Sequence, residues 1–309
     1  MVVDFHYHVV DRTWYHDNWW RGIAQSAVQI LRSAGIEMNA EEIIDVLLPQ
    51  VCDPTGQKLV SNMDLAGVDT TVIMPLDFGI EIGEPSISYR EQNRIFADLQ
   101  NKHPEKIVAF AGVDPRRSDA KSMIRQAIEE WGCKGLKLHP GSGYYPNDVN
   151  TYQLLEAIAD LKVPILFHTG QVIAPLRSKY CDPIYLDDLL LDFPELTFVA
   201  AHLSVGWREG LFHMAQTKTN LMADISGWQP TATRNTEEFC QTLRRALDYF
   251  GQERILFGTD GPYYQTIMPD KEFINLIQDL PEKAPEGLKF TRDEIDAVLS
   301  GNAKRLLGL

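Results

Sequence analysis

Pro164-Ile165-Leu166-Phe167-His168 is apolar up to its last residue and closes on an imidazole. A short apolar run that ends on a polar residue or a glycine is the mark of a strand buried on both faces, as in a parallel sheet. The pattern returns in Val199-Ala200-Ala201-His202 and in Ile255-Leu256-Phe257-Gly258-Thr259-Asp260. Working outward, eight such runs are predicted, at 2–5, 70–74, 107–111, 134–138, 164–167, 197–201, 221–225 and 254–257. Stretches of helical periodicity separate most of them, among them 119–131, 151–161, 186–192 and 237–250. From the second run on, starts lie 24 to 37 residues apart, close to the roughly 30 of one βα unit. Eight units in 309 residues predict a closed (β/α)8 TIM barrel, one domain over 1–309, rather than an open sheet.

The first interval breaks the rhythm, with 68 residues between the first two starts, well beyond the needs of a βα loop. Residues 11–55 therefore read as a helical insertion after strand 1, with helices at 20–33 and 40–48 and with Trp14, Tyr15, Trp19 and Trp20 at its head. Because it follows the C-terminal end of a strand, it is expected to rise over the catalytic face as a lid. The alternative is an auxiliary subdomain whose aromatics pack only on one another.

Composition narrows the partners. Lys and Arg total 29 against 43 Asp and Glu, a formal charge of −14, which repels nucleic acid and anionic lipid and leaves a small molecule as the expected partner. No apolar run approaches the roughly 20 residues of a membrane span, and Val2-Val3-Asp4 follows Met1 without a basic leader. The expectation is a cytoplasmic protein. Cys52, Cys133, Cys181 and Cys240 form no CxxC pair, so they read as free thiols rather than as a zinc ribbon or redox motif.

The chemistry starts at Asp4-Phe5-His6-Tyr7-His8. Residues i and i+2 of a strand share a face, so both imidazoles can reach into the barrel mouth and hold one metal. With His168, His202 and Asp260 at other strand ends, five titratable groups are expected to converge there.

These residues, together with Gly135-Leu136-Lys137-Leu138-His139-Pro140, Phe167-His168-Thr169-Gly170, Phe257-Gly258-Thr259-Asp260-Gly261-Pro262 and the closing Gly301-Asn302-Ala303-Lys304-Arg305-Leu306-Leu307, resemble the amidohydrolase superfamily. The likeness is to its amidohydrolase-related branch, similar to aminocarboxymuconate-semialdehyde decarboxylase, and covers the chain apart from the insertion. It implies that His6, His8, His168 and Asp260 ligate a divalent metal, most simply one Zn2+ with Mn2+ as the alternative, donors that suit zinc. It implies that His202 faces the open coordination position and moves protons, with Asp260 as a further acceptor of a proton from metal-activated water. In two-metal members a lysine at the end of strand 4 is carbamylated and bridges both ions. Lys137 occupies that position, so the alternatives are a bridging carbamate with His168 and His202 on a second metal, or an unmodified ammonium that binds a substrate carboxylate.

His139 shares the strand face of Lys137 and joins the expected substrate contacts. Arg177 and the Arg116-Arg117 pair are expected to recognise a carboxylate, and Tyr144, Tyr145, Trp228, Tyr263 and Tyr264 to wall a ring. His16, His103 and His213 have no motif support. The resulting expectation is a metal-dependent hydrolase acting on a C–O or C–N bond of a small organic acid, such as a lactone or amide. The alternative is a non-oxidative decarboxylase of an aromatic or unsaturated acid. A non-catalytic ligand-binding barrel would have lost metal positions, and all are present. Association into a homodimer is compatible with either reading.

Overall fold

In the computed structural model, which describes residues 1–33 and 35–309, every one of the eight apolar runs overlaps a strand. They are β1 (Val3–Tyr7), β2 (Thr70–Ile73), β3 (Ile107–Ala109, resuming after Phe110 as Ala111–Gly112), β4 (Leu136–Leu138), β5 (Ile165–Phe167), β6 (Phe198–Ala200), β7 (Leu221–Asp224) and β8 (Ile255–Leu256). All paired neighbours are parallel, in chain order. The first half of β3 pairs with β2 and the second with β4, so the two hydrogen-bonded sheets share this one stave. The ring closes between β8 and β1, where Phe5 N donates to Phe257 O at 2.8 Å and Asp260 N to His6 O at 2.8 Å. The chain is thus a (β/α)8 barrel.

Helices cover the outside because their sequences carry one apolar stripe each. Thr236–Phe250 turns Phe239, Leu243, Ala246, Leu247 and Phe250 inward, the spacing of a single helical face. Asn235 starts it by accepting a hydrogen bond from Glu238 N, three residues on. Inside the ring a second core forms from Val3, Phe5, Val72, Phe110, Leu166 and Leu256, with Phe5 and Phe110 edge to face at 5.5 Å. No helix among the described residues is long and apolar enough to cross a membrane.

Two local departures position the site. Between the pairings Asp4 with Thr71 and Tyr7 with Ile73, β1 holds one residue more than β2. Such a bulge shifts the side-chain phase by one. Val3 and Phe5 therefore pack within the ring, whereas Tyr7 joins the outer core and His6 and His8 turn inward. The second departure is the insertion. Its long helix α1 (Asp17–Ser33) begins three residues before the predicted start, and its second helical stretch runs on through Ile43–Leu47 to Leu48–Val51. Asn39 and Glu42 start that stretch with a reciprocal capping box. Asp53 N donates to Val10 O at 2.8 Å, so the excursion leaves and rejoins the barrel at one point.

The inner core makes a direct prediction. Phe110→Ala removes a fully buried ring that also fills the space over Gly135, and denaturant unfolding is expected to register a loss of about 3–5 kcal/mol.

Candidate metal centre and cavity

Asp224 closes β7 inside the ring and every oxygen it has is used. Oδ2 accepts from His6 Nδ1 at 2.8 Å, and Oδ1 accepts from the backbone N of His202 at 2.9 Å, from Ser226 N at 3.0 Å and from the Ser226 hydroxyl. Burial alone raises a carboxyl, but interaction with the His6 ring and the hydrogen bonds from His6 and Ser226 hold this one below the usual carboxylate range. With its Nδ1 proton committed to Asp224, His6 presents Nε2 as a lone pair. His8 is fixed in the same way, since Nδ1 donates to the Met74 carbonyl at 3.0 Å.

The two Nε2 atoms lie 3.2 Å apart, and Asp260 Oδ1 lies 3.7 Å from the first and 3.4 Å from the second. Asp260 reaches this place from a left-handed backbone, φ +53°, a conformation that non-glycine residues keep only where the surroundings enforce it. Donor atoms of His6, His8 and Asp260 all fall within 4.8 Å of one another. His6, His202 and Asp224 satisfy the same criterion, but the oxygens of Asp224 are already occupied by donors, so its part is to orient rather than to ligate.

His168 stands beside this triad rather than within it. Its ring stacks on His139 at 4.1 Å, and its Nδ1 is 3.2 Å from His202 Nε2. The hydrogen bonds fix a proton order. The Nδ1 of His202 donates to Ser226 O at 3.1 Å, so its Nε2 accepts from His168 Nδ1, and His168 Nε2 is left as a lone pair. That atom is buried and has no protein partner. Two imidazoles, one carboxylate and an orphaned nitrogen form a donor set that fits a divalent ion.

Burial and like charges keep these imidazoles neutral, as metal ligands must be. Desolvation lowers His6 to about 4 and His202 to about 3, and it lowers His8, His139 and His168 as well. Lys137 has its Nζ 3.2 Å from His6 Nε2 and is pushed down to about 8 by burial, against the pull of Asp224 and Asp260.

A cavity of about 170 Å3 opens at this centre, lined there by His8, His139, His168, His202 and Asp260. A space of roughly 10–15 Å3 on this scale holds one water, so the cavity is sized for an organic molecule. Trp19, Tyr263 and Tyr264 line it too, and neither Nε1 of Trp19 nor the hydroxyl of Tyr263 has a protein partner.

Several expected substrate contacts lie elsewhere, and each is held by a nearer partner. Arg177 is exposed and paired with Glu81 at 3.1 Å, outside the cavity. Arg116 is held by Asp114 and Arg117 by Asp77 and Glu84. Tyr144 is buried and its hydroxyl accepts from His139 N at 3.0 Å, while Tyr145 packs on Tyr180 and Tyr185. Trp228 is buried and donates Nε1 to His202 O at 3.0 Å. Tyr144 and Trp228 thus brace histidines instead of walling a substrate. Of the insertion's four leading aromatics, only Trp19 reaches the cavity. Trp14 packs on Phe96, and Trp20 donates to Arg12 O at 3.0 Å. Sequence reading missed Asp224 and Ser226, although an acid closing the apolar Leu221-Met222-Ala223 is the same signal that marked His168 and Asp260.

Barrel, strand-end imidazoles and buried carboxylates together define a metal-site (β/α)8 barrel, and comparison with known proteins agrees. The family model described as Amidohydrolase matches residues 57–309, and the chain belongs to that family. The matched part begins after the insertion, so His6 and His8 precede it. Protein fluG of Emericella nidulans is 27% identical over 123 residues, which are 38% of this chain and 14% of that protein. The match thus spans a small fraction of the relative's length. Among solved structures, the uncharacterized TIM-barrel protein Bb4693 from Bordetella bronchiseptica aligns with a TM-score of 0.70 at 23% identity, covering 99% of this chain and 98% of its own. The 5-carboxyvanillate decarboxylase LigW from Sphingomonas paucimobilis gives 0.68 at 16% identity, covering 100% and 99%. An amidohydrolase from Burkholderia multivorans with bound zinc gives 0.69 at 15% identity, covering 100% and 99%.

Asp224→Asn is expected to weaken divalent-metal affinity by about 10-fold to 100-fold, because it frees the His6 ring without removing a ligand. Competition against a chromogenic chelator measures this.

Proposed function

We propose that this protein is a metal-dependent hydrolase that cleaves the C–O or C–N bond of a small carbonyl compound of the lactone, ester or amide kind. The observation that carries the reading is the cavity's charge: no lysine or arginine is among the described residues that line it. A neutral acyl bond needs no counter-charge, whereas a carboxylate substrate would have only the ion and Lys137, behind His6, to pair with. Decarboxylation of an aromatic or unsaturated acid uses the same centre and is the reading to be excluded by experiment.

His6, His8 and Asp260 would hold the ion, with Nε2 of His168 as the fourth donor. When bound, a divalent ion, zinc before manganese, supplies Lewis acidity and lowers the pKa of a water toward neutrality. His202 is the proton carrier. Its backbone is clamped from both sides by Asp224 and Trp228, and its ring lines the cavity with Nε2 accepting from His168 Nδ1 at 3.2 Å. Released from His168, Nε2 would take a proton from water and return it to the leaving oxygen or nitrogen. Asp260 is the further acceptor. Lys137, unmodified, contributes a positive charge behind His6, in keeping with one metal rather than two. We assign residues 11–55 as the lid of a single domain, with Trp19 as the side chain that shields the reaction from bulk water.

The division of labour is measurable. His202→Asn is expected to keep its ion and lose about 100-fold to 10,000-fold in turnover, whereas His6→Ala and Asp260→Ala lose the ion itself, as read by elemental analysis. Loss of metal from His202→Asn, together with a carbamate mass on Lys137, would establish the two-metal alternative. Release of carbon dioxide from an acid, with no hydrolysis of lactones, esters or amides by metal-replete protein, would replace the hydrolase reading. For the lid, Trp19→Ala is expected to raise KM about tenfold or more through lost contact area.

A further inference from the structure

The cavity has two chemically different ends. Imidazoles and Asp260 occupy one. The remainder of the wall comes from the insertion, from the loops after β5 and β8, and from Leu76 after β2. From α1 it takes Trp19, Ile23, Ala27, Ile30 and Leu31, a spacing that keeps all five on one helical face. At 1.5 Å per residue this face extends for about 18 Å. Ile43, Leu47, Leu48 and Val51 add a second apolar surface, and Val172, Ile173, Leu176 and Ile267 a third. Away from the metal end the described residues of the wall include Ser26, Gln171 and Thr266 as small polar members and no ionised group.

An apolar helix stripe ordinarily packs against protein. Here it borders open space large enough for an organic molecule, and apolar walls around such a space are stabilised by an apolar occupant rather than by water. The arginines that would select a di- or tricarboxylate are bound to Asp114, Asp77, Glu84 and Glu81 outside it.

We infer that the substrate is lipophilic: an ester, lactone or amide whose acyl or leaving part is an uncharged hydrocarbon group of several carbons, laid along α1 with its carbonyl at the metal end. The position of the scissile bond rests on the hydrolase reading, while the class of the group rests on the wall. In the step itself water's oxygen bonds to the acyl carbon, the acyl C–O or C–N bond breaks, and one water proton ends on the departing alcohol or amine. The products are a carboxylic acid and that alcohol or amine, with no change of oxidation state.

Two measurements on zinc-reconstituted protein test this separately. In a series of 4-nitrophenyl esters from acetate to decanoate, kcat/KM is expected to rise about fourfold for each buried methylene until the wall is filled. Ala27→Trp, which narrows the wall, is expected to lower the decanoate-to-acetate ratio by tenfold or more. Calorimetry with 1-octanol and 1-butanol reads the wall without turnover, and octanol is expected to bind far more tightly. A flat or falling chain-length profile together with equal, negligible heats for both alcohols would overturn the inference. Tight octanol binding with no ester, lactone or amide hydrolysed would leave the lipophilic class standing and remove the hydrolase reading instead.

Discussion

The Asp224 carboxylate is the fixed point on which the centre depends. A buried carboxylate is tolerable only when hydrogen bonds replace its water, and this one takes donors from β1, from the segment after β6 and from its own turn at Ser226. Satisfying it sets the tautomer of His6, ties down the backbone of His202 and orders the proton chain that ends on His168. It also explains an unusual backbone. His202, Leu203 and Ser204 have φ of 61°, 46° and 51°, three left-handed residues in succession. Such strain persists where neighbours over-determine it, and here Asp224 grips the first residue at its nitrogen while Trp228 holds its carbonyl.

The barrel was legible because a parallel strand buried on both faces has to be apolar almost throughout, and helical stripes between such runs leave few other arrangements. The polar strand ends were legible for a related reason: His168 and Asp260 interrupt apolar runs at the point where burial stops being free. The β1 bulge was not. Period-two alternation places His6 and His8 on one face, but Phe5 lies inside the ring as well, and nothing in the letters marks the extra residue that reconciles the two. Without it, the phase of Phe5 would send both imidazoles to the helix side.

Tyr263 and Tyr264 line the cavity as expected, whereas the arginines, Tyr144, Tyr145 and Trp228 lie outside it for another reason. A loop position near a strand end says where a side chain starts, not which partner it finds first. Arg116 has Asp114 two residues away, and Arg117 meets Asp77 from β2's own loop. Each guanidinium is satisfied before it can reach the cavity, so the charge expected for substrate recognition is spent on bracing neighbouring loops. Tyr144 and Trp228 show the same economy, with polar tips turned to backbone groups of His139 and His202.

The bond from Asp53 N to Val10 O has a consequence for how such a protein changes over generations. It joins the two feet of the insertion, so the barrel experiences the whole excursion as a single closed junction. Lengthening or replacing a loop whose ends stay pinned costs little, since closure entropy grows only with the logarithm of length. The strand ends that carry the imidazoles and carboxylates are answerable to one another through Asp224 and tolerate little. The α1 face answers to its core neighbours and to what fills the cavity, and not to the imidazoles and carboxylates. Selection can therefore redraw the shape of the chamber by rewriting one excursion, while the chemistry at its floor is inherited unchanged.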